Sequence, residues 1–257
     1  MGDTRIVYEP FGINNFKHEI CAELGEKFWN ELVEGLTLPD VDTECHCQCC
    51  NMLAFLKKLE ASIDAETVHR ILYKVRHGVT PAQSTWAREE FLQLGDLDQF
   101  IQKHLDSEWE HFVELNREGK DFYGQMITDE VLAFIKDHPH MLAPVRKGNK
   151  LKCMAFPSNM EAYLQTSDER MKRYHACHCP FARESILADE TVSSSLCNCS
   201  LGHVANFSEA FLGVPLRGRV VSSVLDGDLT CEYEIDLPDE VMCKYVKEES
   251  GSEDCAL

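Results

Sequence analysis

Apolar side chains in the first half of the chain recur at the spacing of one helix face. Ile20, Leu24, Phe28 and Leu32 stand four residues apart, and comparable patterns continue from about residue 14 to 138. Residues at this spacing lie on one side of a helix, and that side is buried against other elements. The pattern therefore predicts several packed helices rather than strands.

Capping residues indicate where these helices begin and end. Asp64, Asp96 and Thr128 each precede an apolar stretch, where a side-chain oxygen can accept a hydrogen bond from the first helical turn. Thr80-Pro81 has the form of a cap followed by an N1 proline, and Gly119 has the form of a C-terminal stop. The first half therefore predicts five or six helices.

The second half changes to a mixture of short strands and helix. Proline after Phe156 and after Cys179 ends two predicted strands, and Asp226-Gly227-Asp228 is a good hairpin turn. The predicted strands are 151–156, 170–179, 214–225 and 230–237, and the predicted helix is 202–212. We expect an α+β protein in which a helical region, residues 1–146, packs on a small, mostly antiparallel sheet within residues 147–257.

Composition narrows the classes of function. No apolar run approaches the roughly 18 residues of a membrane span, and the chain start lacks the features of a secretory signal, so we expect a cytoplasmic protein without a membrane partner. The formal charge of -19 repels phosphate backbones, which disfavours nucleic acid as a partner. Thirteen cysteines without an export signal favour reduced thiols and metal binding over disulfides. The sequence leaves a homodimer open.

Two Cys-x-Cys pairs are the strongest chemical signal. Cys177 and Cys179 form the first pair, Cys197 and Cys199 form the second, and Cys231 follows as a fifth candidate. Cysteines close in sequence and supplied by separate segments are the usual ligands of structural zinc, so we expect a zinc site here. The alternatives are ordinary buried cysteines, and an iron–sulfur cluster, which the missing C-x2-C-x2-C spacing disfavours.

A second group of cysteines lies near the predicted start of the second helix. Cys45, Cys47, Cys49 and Cys50 include the C-x-x-C pair 47 and 50. This pair can be a redox dithiol or half of a second metal site. The alternative is a thiol-rich helix start without a separate function.

Catalytic residues have weaker support. The chain contains no HExxH, GxSxG, GxGxxG or P-loop motif. His178 and His203 lie beside the predicted metal ligands and are candidate general bases, although a packing role or support of the metal is the simpler interpretation. Glu184 is another candidate, with a solvated charge as its simpler interpretation.

The residues from Cys197 to Gly213, followed by those from Val220 to Ile235, resemble the end of 4-vinyl reductase-type domains. These domains bind small, often hydrocarbon-like molecules, and in their sensor version Cys residues and a Glu hold zinc beside the ligand pocket. By position, Cys197 and Cys231 match two of those ligands. Val220 and Ser223 stand where the Glu and the middle Cys would be, so the resemblance implies that other thiols complete the site.

Residues 171–186 resemble bacterial proteins related to the L-2-amino-thiazoline-4-carboxylic acid hydrolase group. Together the resemblances imply a zinc-containing protein that binds a small-molecule ligand in an apolar pocket bordered by the helix 202–212. Tyr174, Phe207 and Phe211 are the candidate wall residues. The alternative is a zinc-dependent hydrolase of an amide or cyclic amidine, in which zinc activates water and His203 or Glu184 serves as base.

Overall fold

The computed structural model of the protein describes residues 12–39, 45–79 and 85–247, with 45–48, 78 and 85 described for the backbone alone. These residues form the helices α1 (Ile13–Val33), α2 (Cys45–Ser62), α3 (Ala65–Val75), α4 (Thr85–Leu94), α5 (Leu97–Glu118), α6 (Asp129–Asp137), α7 (Met160–Gln165), α8 (Glu169–Ala176), α9 (Cys197–Leu212) and α10 (Asp239–Tyr245). The strands are β1 (Asp121–Phe122), β2 (Gln125–Met126), β3 (Val145–Lys147), β4 (Lys150–Met154), β5 (Arg217–Ser222) and β6 (Glu232–Asp236). The predicted α+β class is confirmed.

The main sheet has the strand order β3-β4-β6-β5, and every neighbouring pair is antiparallel. One face is apolar: Leu151 stands opposite Ile235, and Cys153 opposite Tyr233, and all four are buried. On the other face Glu234 pairs with Lys152 at 3.3 Å and with Arg219 at 2.7 Å. This alternation is the pattern of a sheet that covers a core on one side only.

The predicted caps are present at three helix starts. The side chains of Asp64, Asp96 and Thr128 accept hydrogen bonds from the backbone N–H three residues later, at 3.0, 3.0 and 3.3 Å. Gly119 ends α5 with a φ of 62°, which is the left-handed conformation that glycine adopts without steric cost. The start predicted at Thr80-Pro81 lies outside the described residues.

The strand predicted at 170–179 is wrong, because this segment forms α8 and the loop that follows it. Asp168 caps α8 by accepting from the N–H of Met171 at 3.0 Å. Glu169 lies in the first turn of this helix, and Arg173 lies in the last. Both charges stabilise a helix by complementing its dipole. The capping residue and the order of the charges therefore indicate a helix. Apolar periodicity does not reveal this helix, because its two turns are mostly polar.

The two predicted regions share one hydrophobic core. Phe91 of α4 and Phe100 of α5 pack against Phe211 of α9, with ring centroids 5.3 and 4.6 Å apart. All three side chains are fully buried. The predicted boundary between residues 146 and 147 lies within β3, and the core continues across it. None of the described helices is both long and apolar enough to cross a bilayer.

The helices α9 and α3 approach each other closely at a glycine. A Cβ atom built on Gly202 would lie 1.8 Å from the carbonyl oxygen of Tyr73 and 2.8 Å from its carbonyl carbon. These atoms are backbone and cannot rotate away. Only glycine therefore permits this approach, which sets the N-terminal half of α9 against the end of α3.

A buried ion pair holds the same two helices. Glu209 of α9 is 5% exposed, and its Oε2 lies 2.5 Å from the Arg76 guanidinium, directly after α3. Its Oε1 accepts from the Tyr73 hydroxyl and the Leu216 N–H, both at 2.9 Å. A buried carboxylate is tolerated when it is paired and hydrogen-bonded in this way. Removing one partner of such a pair costs about 3–5 kcal/mol.

We predict that Gly202→Ala destabilises the protein by about 2 kcal/mol or more, because the added methyl group overlaps the Tyr73 carbonyl and forces the helices apart. Without that contact the sign would reverse, since alanine within a helix is about 0.5–1 kcal/mol more favourable than glycine. Chemical denaturation of both proteins measures the difference.

The control is Gly119→Ala, at a position where an added Cβ meets no atom within 4 Å. There the cost is confined to the left-handed backbone, about 1–2 kcal/mol. A stabilised or unchanged Gly202→Ala protein would refute the close approach of α9 to α3.

Candidate functional site

A cavity of about 300 Å³ lies at the start of α9, and we call it the thiol cavity. It is lined by the five predicted cysteines Cys177, Cys179, Cys197, Cys199 and Cys231. They come from three separate segments, namely the loop after α8, the first turn of α9 and the residue before β6. All five thiols are free. The fold therefore brings the predicted ligand residues to one wall.

Cys197 and Cys199 each have a polar group close to the sulfur. The Cys197 sulfur lies 3.2 Å from the Ser223 hydroxyl, and the Cys199 sulfur accepts from the backbone N–H of His77 at 3.4 Å. Residues i and i+2 of a helix are about 200° apart around its axis. The two cysteines therefore point in different directions although both reach the cavity.

Burial dominates the electrostatics of these thiols. It raises the pKa of all five, to about 12 for Cys199, and the neighbouring thiols add to the effect for the four other than Cys231. A thiol with a raised pKa stays protonated and weakly nucleophilic at neutral pH. A thiolate would form here only if a bound cation replaced the proton, and metal binding by cysteine releases protons in this way.

Three histidines line the same cavity, and sequence reasoning named only two of them. The rings of His77 and His203 stack with centroids 4.9 Å apart, and His178 contacts the Phe156 carbonyl oxygen through Nε2. Burial lowers the pKa of all three, to about 3 for His77. Their imidazoles are therefore neutral at pH 7, and a neutral imidazole nitrogen can bind a metal.

His77 reaches the cavity on a strained backbone. Arg76 and His77 have φ of 49° and 50°, the left-handed region that non-glycine residues rarely occupy. Each such residue costs roughly 1–2 kcal/mol, and this strain is retained mostly at functional sites. The ion pair between Arg76 and Glu209 holds this turn in place. No spacing pattern in the sequence could have identified His77, because its position depends on this turn.

The cysteine and histidine side chains of the thiol cavity are suitable ligands for a metal such as zinc. In this structure, however, they are not arranged around a common point. Cys and His together are the preferred ligands of zinc. Among the residues that the structure describes, no three His, Cys, Asp or Glu side chains are grouped so that they could hold a metal ion. Coordination of a metal would therefore require the side chains of this cavity to take other positions than those in this structure.

Two other predicted residues contact each other beside the cavity. The Tyr174 hydroxyl donates to Glu184 at 2.7 Å, and the Arg183 guanidinium lies 5.2 Å from the Tyr174 ring centre. Neither Tyr174 nor Glu184 lines the thiol cavity, whose aromatic side chains are Phe156 and Tyr233. The interaction of Tyr174 with Glu184 therefore supports the loop after α8 from outside the cavity.

A second cavity, of about 410 Å³, lies among α4, α5, α9, β4 and the segment 140–144. Phe207 lines it, whereas Phe211 is fully buried in the core. The second cavity shares four lining residues with the thiol cavity, namely Met141, Met154, His203 and Val204. The two spaces are therefore neighbours separated by a thin wall.

The other cysteine group begins α2, as the sequence predicted. The side chains of Cys45 and Cys47 lie outside the described residues. Cys49 is buried in the core, where burial raises the pKa of its thiol, and Cys50 is exposed. The redox or second-metal site at these residues stays a prediction.

Comparisons with protein-family models, curated proteins and solved structures found no match to this chain. The resemblances to 4-vinyl reductase-type domains and to the hydrolase group therefore stay predictions.

We predict that the metal-free, reduced protein shows two classes of thiol toward iodoacetamide at pH 8. Exposed Cys50 and Cys243 should react quickly. Cys199 should react at least about a hundredfold more slowly, because a pKa near 12 leaves about a thousandth of the thiolate of an ordinary cysteine. Peptide mass spectrometry over time measures each rate.

Urea-unfolded protein is the control, since unfolding removes burial and should equalise the rates. Fast labelling of Cys199 in the folded, metal-free protein would contradict the buried, protonated state of this thiol.

Proposed function

We propose that this chain is a cytoplasmic small-molecule-binding protein that holds zinc through cysteine thiolates. The observation that carries the proposal is the meeting of five cysteines from three chain segments on the wall of one cavity. Ordinary core cysteines serve as small hydrophobes and need not face a shared space. Thiols that converge on a cavity from distant segments are the arrangement that metal binding needs.

Charge balance supports a thiolate site at this position. Four thiolates on Zn²⁺ leave about two negative charges, which nearby hydrogen-bond donors must offset. The His77 N–H already donates to Cys199, and the Ser223 hydroxyl lies beside Cys197. Cys197 and Cys199 also open α9, where the positive end of the helix dipole favours thiolates.

The remaining wall supports a small apolar ligand. Met141, Met154, Phe156 and Val204 line the thiol cavity beside the cysteines. Its volume of about 300 Å³ is at the lower end for small-molecule sites. In this proposal, a zinc ion closed by four thiolates has no open coordination position and fixes the shape of the pocket wall.

We predict that protein purified without chelator contains about one zinc per chain, and that Cys197→Ser and Cys231→Ser each lose most of it. Both variants should also unfold at lower temperature, because the binding free energy of a closed site contributes to folding. Elemental analysis by mass spectrometry and thermal denaturation measure the two effects.

The controls separate loss of a ligand from loss of any thiol. Cys243→Ser removes an exposed thiol of α10, and Cys153→Ser removes a buried thiol outside the thiol cavity. Both should keep the metal. The absence of bound metal from freshly purified, reduced wild-type protein would refute the zinc proposal.

A second candidate function is a zinc-dependent hydrolase of an amide or cyclic amidine. The observation that favours it is the presence of three neutral histidines beside the thiols. Three thiolates would leave one position for water, and His203 would then be the base. Glu184 is less suited to that role, because its side chain binds Tyr174 and does not line the cavity.

We expect no zinc-dependent hydrolysis of simple amides or of 2-amino-thiazoline-4-carboxylate, since four thiolates leave the metal little Lewis acidity. Product analysis by chromatography, with zinc-loaded wild type and His203→Ala protein, tests this. Turnover by wild type that disappears in His203→Ala at constant zinc content would favour the hydrolase instead.

A further inference from the structure

The second cavity has an aromatic wall that includes an exposed tryptophan. Trp86 of α4 is 57% exposed, although its ring packs against Phe207 and His104 with centroids 6.0 and 5.8 Å away. Phe207 and His104 in turn meet edge to face at 5.3 Å. Three mutually packed rings hold Trp86 beside the cavity. An exposed tryptophan at a cavity offers a large apolar contact surface together with an indole N–H.

Polar groups of this cavity are few and lie near the aromatic wall. Glu108, His104 and His140 line it, and none of its described lining residues is Lys or Arg. The buried Nε2 of His104 has no hydrogen-bond partner among the described residues; the nearby Glu90 Oε2 is 3.6 Å away. A buried polar atom without a partner is costly, and a hydrogen bond from a ligand would satisfy it.

The charge of the wall selects among ligands. The Glu108 carboxylate favours a cation and disfavours an anion, and the formal charge of -19 for the chain acts in the same direction. Faces of Trp and Phe attract cations, and Trp does so most strongly. The volume of about 410 Å³ is within the range of small-molecule sites.

We propose that the second cavity binds a small arylalkylamine, with its ring against Trp86 and Phe207 and its ammonium group toward Glu108. This inference goes beyond the proposed function, because it assigns a separate ligand to the second cavity. It requires no metal. His203 and Val204 line both cavities, so the bound ring lies next to the thiol cavity.

Three compounds with one ring and different charge test the proposal at pH 7. They are 2-phenylethylamine, 2-phenylethanol and phenylacetate, titrated by calorimetry into the full-length protein as purified. We expect the amine to bind about tenfold or more tightly than the alcohol, and phenylacetate to bind more weakly than both. Equal affinity for all three, tighter binding of phenylacetate, or no binding of the amine at millimolar concentration would overturn the proposal.

Two variants with matched controls locate the binding site. Trp86→Ala should weaken the amine and the alcohol about tenfold, whereas Leu92→Ala, which truncates another exposed apolar residue of α4, should leave both unchanged. Glu108→Gln should lower the amine to the affinity of the alcohol, whereas Glu110→Gln, outside this cavity on the same helix, should not. Undiminished amine binding in both Trp86→Ala and Glu108→Gln would overturn the proposal.

Zinc content, measured on the same samples, separates this inference from the proposed function. Amine binding by a wild-type protein that contains no metal would refute the zinc proposal and support this inference. A protein that contains zinc but binds none of the three compounds would refute this inference and support the zinc proposal. Glu108 is partly exposed and lies outside the core, so Glu108→Gln should fold normally. It therefore tests the binding site even if Trp86→Ala has a folding defect.

Discussion

The contact between α3 and α9 is the constraint on which the rest of the site depends. Gly202 lets the two backbones meet at a distance that no side chain would permit, and the ion pair of Glu209 with Arg76 fixes their register. Because Cys197, Cys199 and the residues beside them belong to the same helix, this one contact places them against the turn after α3. The close approach and the buried charge reinforce each other, since displacing the helices would leave Glu209 buried without a partner.

At the thiol cavity, burial and ionisation oppose each other. The fold gathers five thiols and three imidazoles around one cavity, and burial favours the neutral forms of the thiols and of His77. Thiolates become stable in such a space only when a cation and hydrogen-bond donors offset their charge. The same enclosure that makes the free thiols inert would therefore make a bound soft metal hard to displace. The strained turn at Arg76 and His77 is consistent with a site that is held in place by its surroundings.

The two cavities differ in chemistry although they share a wall. The thiol cavity has sulfur and imidazole donors, which suit a soft metal. The second cavity has an aromatic wall and a carboxylate, which suit an organic cation. His203 lines both. A ligand in the second cavity would therefore contact a residue of the thiol cavity, which gives the pair of spaces a direct physical connection.

The sequence by itself determined the helical first half, the helix caps and the antiparallel hairpin, because apolar periodicity and capping side chains act over a few residues. It also singled out the cysteines of the thiol cavity, since their pairing is visible along the chain. The helix α8 escaped prediction because its two polar turns carry little periodicity. Only the tertiary structure decided that His77 and Trp86 border the cavities. Those positions depend on a left-handed turn and on the packing of α4 and α9, which are set by contacts between residues far apart in the chain.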